Sequence, residues 1–300
     1  MNSSEQRTAV VLAGGGERVI AWQVGVLAGL ADSGVDLRRA GAVVGTSAGA
    51  YVAARLAAGE EPRVAARGIA ARDPEPIAQP GDQPFEQLAQ AFAAAGTVVE
   101  GRRRVGAVAM AARTRPEREV AARLADRLPT EAWPEALHVV AVDAERGERL
   151  TVDVGTGVSL AAGVAASRAV PVALPPVSIA GRRLIDGAVG SATNADVVLD
   201  IDRPIDRVVV IAATPVATAG SKLAQLWDEA LRAELWQLDA AEMETYIVRA
   251  SVAELELMGP DMMSGGAAPL AVRAGHRAGQ AVGPALRAVL EPRVAAVASA

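Results

Sequence analysis

Short apolar runs alternate with helical periodicity through the first sixty residues. Residues 8–16 (TAVVLAGGG) form a β-rich run that ends in glycines, which predicts a buried strand entering a turn. Apolar positions then recur at helical spacing over residues 20–31, and the polar SGVD ends that helix. The same order repeats, because AGAVVG at 40–45 predicts a second buried strand and residues 48–58 predict a second helix. This βαβα order predicts an α/β fold, a mostly parallel sheet with helices on both faces.

Residues 60–135 have a different pattern, rich in proline and arginine. Two stretches within them, 84–95 and 116–128, have the amphipathic spacing of helices. We therefore expect a helical insertion or cap over the sheet.

Strand patterns return after this segment. Residues 137–154 predict two strands joined by a glycine-containing turn. Residues 158–170 predict a helix of small residues, which the prolines of 170–177 bring to an end. Residues 182–190 predict a strand running into a glycine turn, and 206–214 predict one more buried strand.

The last part of the chain, 216–300, is predicted to be mainly helical. A further strand is indicated at 246–251, and a glycine-rich break at 263–269. With 300 residues, 51% of them apolar, the chain can bury a large core, and it shows no repeats and no low-complexity linker. We expect a single domain over 1–300.

Composition excludes several classes of protein. The net charge of −5 argues against nucleic-acid binding, and the absence of cysteine excludes a disulfide framework and a thiolate nucleophile. The polar residues 1–7 precede an apolar run too short for a signal peptide, and no apolar stretch reaches the roughly 18 residues of a membrane span. We expect a cytoplasmic protein that contacts a membrane only peripherally.

Ser47 lies between a predicted strand and a predicted helix, in the sequence Gly45-Thr46-Ser47-Ala48-Gly49. A nucleophile on a sharp strand-to-helix turn requires glycine two residues before and two after it, because the backbone comes close at both positions. Ser47 is therefore a candidate nucleophile. The alternative is a serine that only caps the helix.

Gly14, Gly15 and Gly16 lie at the end of the first predicted strand, where their N–H groups are unhindered. Such a loop can form an oxyanion hole or a phosphate cradle. Dinucleotide binding is disfavoured, because Val19 occupies the last glycine position of G-x-G-x-x-G and strand 40–45 lacks an acidic residue at its end.

Asp186 ends a predicted strand and precedes Gly187, a dipeptide that also forms ordinary turns. The chain has two histidines, His138 in an apolar strand and His276 in a late helix, and neither lies in a motif. A carboxylate beside a serine hydroxyl can act as base in place of histidine, which makes Asp186 the candidate base.

Together these segments resemble the patatin-like phospholipases. AGGGERVIAWQVGVLAGL, GTSAGA and ASRAVPVALPPVSIAGRRLIDGAVGSATNADVV follow one another in that family's order and spacing within residues 8–215. The resemblance implies a three-layer α/β/α fold and a Ser–Asp dyad instead of a triad. It also implies the site residues: Ser47 as nucleophile, Asp186 as base of the D-G-[GA] motif, Gly14, Gly15 and Gly16 as the oxyanion loop, and Arg18 at that loop's basic position.

Two positions depart from the family pattern. Val19 replaces the last glycine of G-G-G-x-[RK]-G, which we expect to narrow the site or to shift the oxyanion donors. Ala195 follows Asn194 where leucine or proline is commoner, with a smaller expected effect.

The function that follows is hydrolysis of lipid carboxylic esters, of phospholipase A, lysophospholipase or esterase type, through an acyl-enzyme and without metal or cofactor. Residues 101–106 (GRRRVG) and their apolar neighbours suit transient contact with a membrane surface or form a solvated cationic patch. Three alternatives stay open: an α/β-hydrolase-type esterase using His276, a non-catalytic relative that binds lipid or a protein partner, and a purely structural α/β domain. No sequence feature sets an oligomeric state.

Overall fold

The computed structural model describes residues 7–72, 83–213, 221–259, 261 and 263–290. Residues 73–82, which belong to the expected helical insertion, lie outside the described residues. So do residues 214–220, around the start of the expected C-terminal part, and residues 291–300 at its end.

The centre of the molecule is a mixed, mostly parallel sheet of eight strands within the described residues. In sheet order the path is β5-β6-β3-β2-β1-β7-β8, with β4 paired to β3. The β1, β2, β3, β7 and β8 strands are parallel, whereas β4, β5 and β6 run antiparallel to their neighbours. Their bounds are β1 Thr8–Leu12, β2 Ala42–Thr46, β3 Leu137–Asp143, β4 Arg149–Val152, β5 Val177–Ile179, β6 Arg182–Asp186, β7 Arg207–Ala212 and β8 Glu244–Arg249.

Each strand predicted from the pattern is present, and β5 is an additional one. It has only three residues and pairs with β6 as a short hairpin. The prolines directly before it hid the strand in the sequence, since proline disfavours strand interiors.

Ten α-helices cover the sheet in the described part of the chain. They are α1 Glu17–Asp32, α2 Ala48–Ala57, α3 Pro62–Ala71, α4 Gln83–Ala93, α5 Val98–Ala111, α6 Glu117–Ala125, α7 Leu160–Ser167, α8 Lys222–Ala240, α9 Val252–Met258 and α10 Ala268–Leu290. Alternate residues of β1 point to opposite faces, so that Val10 and Leu12 join the core under α1 and α2 while Ala9 and Val11 join the core under α8. The sheet is therefore buried on both faces, as the sequence predicts.

Helices α1 and α10 are in direct backbone contact through glycines spaced four residues apart. A methyl group added at Gly25 or Gly29 would overlap carbonyl oxygens of α10, and one added at Gly275 or Gly279 would overlap carbonyl oxygens of α1. Because Cβ atoms at these positions would separate the helices, the glycines set the interaxial distance. This spacing is visible in the sequence only once the two helices are known to be partners.

The β2 and β6 strands meet end to end along one edge of β3. Thr46, the last residue of β2, pairs with Val140, and Asp186, the last residue of β6, pairs with the next residue, Ala141. The other edge of β3 is occupied by β4 over the same stretch. Since β2 and β6 run in opposite directions, their carboxyl ends face each other at this point of the sheet.

Candidate functional site

Ser47 occupies a sharp turn between β2 and α2. Its φ of 54° and ψ of −117° lie where residues other than glycine are strained. A methyl group added at Gly49 would overlap the carbonyl oxygen of Leu12 in β1, and one added at Gly45 would lie 2.5 Å from the Cα of Ala50. Close approach of the backbone therefore requires glycine at both positions. This is the physical reason on which the sequence-based prediction relied.

The side chains of Ser47 and Asp186 are hydrogen-bonded to each other. The Ser47 Oγ donates to Asp186 Oδ2 over 2.7 Å, and the two residues are 6% and 3% exposed. Gly187 follows where a side chain would overlap the carbonyl oxygen of Val140 in β3. The abutting ends of β2 and β6 thus place a serine hydroxyl and a carboxylate in contact although 139 residues separate them in the sequence.

Burial raises the pKa of Asp186 to about 6. Removing the carboxylate from water disfavours its charged form, and this effect exceeds three opposing ones. Those are the hydrogen bond from Ser47, the hydrogen bond from the Ala188 N–H to Oδ1 at 2.8 Å, and the positive charge of Arg168. The group is therefore ionised at neutral pH while retaining a higher proton affinity than a surface aspartate.

The three glycines of the loop after β1 differ in what their N–H groups do. The Gly14 N–H donates to the carbonyl oxygen of Ala192 over 2.8 Å, so it is already used. Gly15 and Gly16 line the cavity at Ser47, and within the described chain their N–H groups have no acceptor. Their φ values of 141° and 81° favour glycine. Gly15 and Gly16 are the members of the loop that can donate to a ligand.

Neither Val19 nor Arg18 lines the cavity at Ser47. The Val19 side chain is fully buried, and a methyl group added at Gly15 would lie 2.6 Å from it. Val19 thus packs against Gly15 of the glycine loop and does not line the cavity. The expectation that its side chain narrows the site is therefore not met. The Arg18 guanidinium donates to the carbonyl oxygen of Gly259, the residue directly after α9.

Ser47 and Asp186 open into an apolar cavity with a volume of about 110 Å³. Its walls, which sequence patterns do not indicate, come from several separate parts of the chain. Helix α4 contributes Phe85, Leu88 and Phe92, α5 contributes Val105, and α8 contributes Leu223, Leu226 and Trp227. The cavity has the character of a site for an aliphatic chain, since apolar side chains surround a few polar groups.

Two polar residues beside the dyad were missed by sequence reasoning. The Ser167 Oγ accepts from the Ser47 N–H at 2.9 Å, and its carbonyl oxygen accepts from the Gly187 N–H at 3.2 Å. The Asn194 Nδ2 donates to the Thr46 hydroxyl and to the Gly187 carbonyl oxygen, at 3.2 and 3.1 Å. Each residue therefore links the Ser47 turn to the Asp186 turn, and both lie in the segment that carries the family resemblance.

Glu234 of α8 holds the loop that contains Asn194. Its buried carboxylate accepts hydrogen bonds from the hydroxyls of Ser191 and Thr193 and from the Ala195 N–H. Burial raises the pKa of Glu234, and these hydrogen bonds oppose the shift. The same loop supplies the carbonyl oxygen that accepts from Gly14, so α8 stabilises the glycine loop indirectly.

Neither histidine lies at the dyad. The His276 Nε2 is 2.7 Å from Asp32 Oδ2, at the carboxyl end of α1, whereas the cavity lies at the amino end of that helix. His138 lies near the start of β3 with its Nδ1 3.7 Å from Asp153 Oδ2. The geometry does not place a histidine in a triad with Ser47.

Two kinds of feature are absent from the described residues. No helix among them is long and apolar enough to span a membrane, and no group of acidic, histidine or cysteine side chains is arranged to hold a metal ion.

The chain is similar to one protein family and to several solved structures. The family model "Patatin-like phospholipase" matches residues 10–199. No curated protein matches the chain in sequence. Among solved structures, VipD from Legionella pneumophila is similar with a TM-score of 0.45 at 15% identity, covering 94% of this chain and 67% of VipD. The type III effector protein ExoU is similar with a TM-score of 0.43 at 14% identity, covering 92% of this chain and 52% of ExoU, so the chain spans about half the length of ExoU.

The family model covers well over half of the chain, including the glycine loop, the Ser47 turn and the Asp186 turn. The chain therefore belongs to the patatin-like phospholipase family, and this membership implies lipid acyl hydrolase activity.

Proposed function

We propose that the protein hydrolyses carboxylic esters of lipids, with Ser47 as nucleophile and Asp186 as general base. The observation that carries this proposal is the 2.7 Å hydrogen bond between Ser47 Oγ and Asp186 Oδ2, on a strained turn that opens into an apolar cavity. A serine that only capped α2 would bond the helix N–H groups, but Ser47 makes no side-chain cap hydrogen bond.

In the first half-reaction Asp186 takes the proton of the Ser47 hydroxyl as Oγ attacks the ester carbonyl carbon. The tetrahedral intermediate collapses to an acyl-serine, and Asp186 returns the proton to the departing alcohol. In the second half-reaction Asp186 takes a proton from water, which attacks the acyl-serine and releases the fatty acid, and the proton returns to Ser47. Both steps balance with Ser47, Asp186 and water alone.

The negative charge that develops on the carbonyl oxygen needs donors in fixed positions. The N–H groups of Gly15 and Gly16 suit this role, because they border the cavity and have no acceptor in the described structure. The amino terminus of α2 directly after Ser47 adds a favourable dipole. Gly14 contributes by holding the loop through its hydrogen bond to Ala192.

A fluorophosphonate probe tests the proposal directly. We expect the parent protein to be labelled on Ser47 and to hydrolyse p-nitrophenyl esters, and we expect Ser47→Ala and Asp186→Asn to lower turnover at least about a thousandfold. Ser178→Ala and Asp202→Asn are matched controls, since both residues are exposed and lie outside the cavity. A folded parent that is neither labelled nor active would favour the non-catalytic alternative.

His276→Ala separates the dyad from a histidine-dependent esterase. The dyad mechanism predicts turnover close to that of the parent, since His276 pairs with Asp32 and not with the site. Loss of turnover in a folded His276→Ala protein would instead support a triad.

A further inference from the structure

The loop that follows the proposed base also holds the glycine loop. We call this segment, residues 187–195, the base loop. The carbonyl oxygen of Ala192 within it accepts a hydrogen bond from the Gly14 N–H over 2.8 Å. Gly14 directly precedes Gly15 and Gly16, whose N–H groups are the proposed oxyanion donors. The position of the Ala192 carbonyl therefore sets the position of these donors.

Glu234 of α8 binds the base loop on both sides of Ala192. The hydroxyls of Ser191 and Thr193 donate to its two carboxylate oxygens, and the Ala195 N–H donates to Oε2 over 2.9 Å. A carboxylate accepts hydrogen bonds from several directions at once, so one side chain holds the loop at three points. Because the residues directly before and after Ala192 are both held, the direction of its carbonyl group is fixed.

The Glu234 carboxylate in turn depends on the base loop. The residue is 4% exposed, and it forms no ion pair within the described part of the chain. A carboxylate buried without a counter-ion costs free energy unless hydrogen bonds stabilise it, and its three hydrogen bonds all come from the base loop. Glu234 does not line the cavity at Ser47, so any effect that it has on a reaction must pass through that loop.

We propose that Glu234 is a positioning residue for the reaction: it fixes the Ala192 carbonyl oxygen, and through Gly14 it fixes the oxyanion donors. This inference rests on the proposed function. It assigns part of the site to α8, which lies outside the residues 10–199 that match the family model. Oxyanion donors stabilise the transition state more than the bound substrate, so displaced donors lower kcat and leave KM unchanged.

Glu234→Gln tests this role with little change in shape. The amide oxygen still accepts from Thr193 and Ala195, but the amide NH2 cannot accept from the Ser191 hydroxyl as the carboxylate does. We expect kcat for p-nitrophenyl butyrate to fall at least about tenfold, with KM within about twofold of the parent value.

Asp228→Asn is the matched control. Asp228 is as buried as Glu234 and lies in the same helix, but it pairs with Arg232 and Arg249, at 2.6 and 2.7 Å, and not with the base loop. Both substitutions should lower the midpoint of urea denaturation, because each removes a partner from buried polar groups. Only Glu234→Gln should lower kcat. Equal losses of kcat in the two folded proteins would show that α8 acts through stability alone, which would overturn the inference.

Amide hydrogen exchange, measured by NMR, tests the same contact without catalysis. The Gly14 N–H is protected by its hydrogen bond to Ala192, so its exchange rate reports how firmly the base loop holds that carbonyl group. Relative to the amides of β1, we expect exchange at Gly14 to be about tenfold faster in Glu234→Gln and unchanged in Asp228→Asn.

The two measurements separate this inference from the proposed function. Faster exchange at Gly14 in Glu234→Gln, with a parent that cleaves no ester, would refute the proposed function and retain the hold of Glu234 on the glycine loop. Unchanged exchange at Gly14 would overturn the inference, whatever the effect on kcat. In an active parent it would also be overturned if Glu234→Gln raised KM and left kcat unchanged, since the oxyanion donors would then not depend on Glu234.

Discussion

The proposed chemistry depends most on the carboxyl group of Asp186. It is almost fully buried, yet its oxygens accept hydrogen bonds from the Ser47 hydroxyl and from the Ala188 N–H. Burial raises its pKa to about 6, and the charge of Arg168 opposes this. A base of this kind is ionised at neutral pH and binds a proton more strongly than a surface carboxylate, which suits proton abstraction.

This pKa predicts an acid limb in the pH profile. The ionised form of Asp186 is the active one, so kcat/KM should fall below about pH 6, approaching a tenfold loss per pH unit. Arg168→Gln should move the limb to higher pH, because it removes a charge that lowers the pKa of Asp186, whereas Arg118→Gln should not. Ester hydrolysis measured from pH 4.5 to 9 on protein shown to stay folded checks this. A limb that is absent, or that Arg168→Gln leaves in place, would contradict the assignment of Asp186 as base.

The packing of α1 on α10 shows how elements set the position of the site. The glycine loop leads directly into α1, so the placement of that helix fixes Gly15 and Gly16 relative to Ser47. Gly29 and Gly279 allow the two helices to touch through their backbones, and Trp22 and Val26 of α1 lie against Gly275 and Gly279. The C-terminal helix thereby stabilises the N-terminal helix on which the loop depends.

We expect Gly279→Ala to lower the free energy of unfolding by about 1–3 kcal/mol, because its methyl group would overlap the carbonyl oxygen of Val26. Gly68→Ala is the matched control. Gly68 lies within helix α3 with open space around it, so this change should raise stability by about 0.5–1 kcal/mol through helix propensity. Denaturation in urea measures both. Equal effects of the two substitutions would show that the helices do not require backbone contact.

At the scale of the whole molecule, the cavity at Ser47 is built from several separate segments of the chain. The two residues of the proposed dyad lie at the ends of β2 and β6, while α4, α5 and α8 contribute apolar walls. Phe92 of α4 contacts Gly101 of α5 and lies beside Gly190, which joins the helical cover to the Asp186 turn. That 1–300 forms a single domain and that the protein is cytoplasmic stay predictions.

Phe92→Ala should therefore reduce the preference for long acyl chains. Truncating the ring removes apolar contact worth about 1–2 kcal/mol, so the kcat/KM ratio of p-nitrophenyl palmitate to butyrate should fall about tenfold. Trp236→Ala is the control, because Trp236 is an aromatic residue of α8 that is 70% exposed and lies outside the cavity. An unchanged ratio in a folded Phe92→Ala protein would place the acyl chain elsewhere.

The sequence by itself determined the order of the strands and helices apart from β5, and it indicated Ser47, Asp186, Gly45 and Gly49 as candidate site residues. These follow from local rules: apolar periodicity selects the element, and a strained turn with close backbone approach demands glycine at fixed spacing. The hydrogen bond between Ser47 and Asp186 then depends on β2 and β6 meeting on β3, which the sequence alone did not predict.

Only the tertiary structure decided what the neighbouring groups do. It showed that the Gly14 N–H is hydrogen-bonded to the carbonyl oxygen of Ala192 and that Val19 packs against Gly15. It also showed that His276 pairs with Asp32, at the end of α1 opposite to the cavity. It also brought Arg168 and α4, α5 and α8 to one site. Each of these depends on contacts between residues far apart in the chain, and local periodicity and spacing carry no information about such contacts.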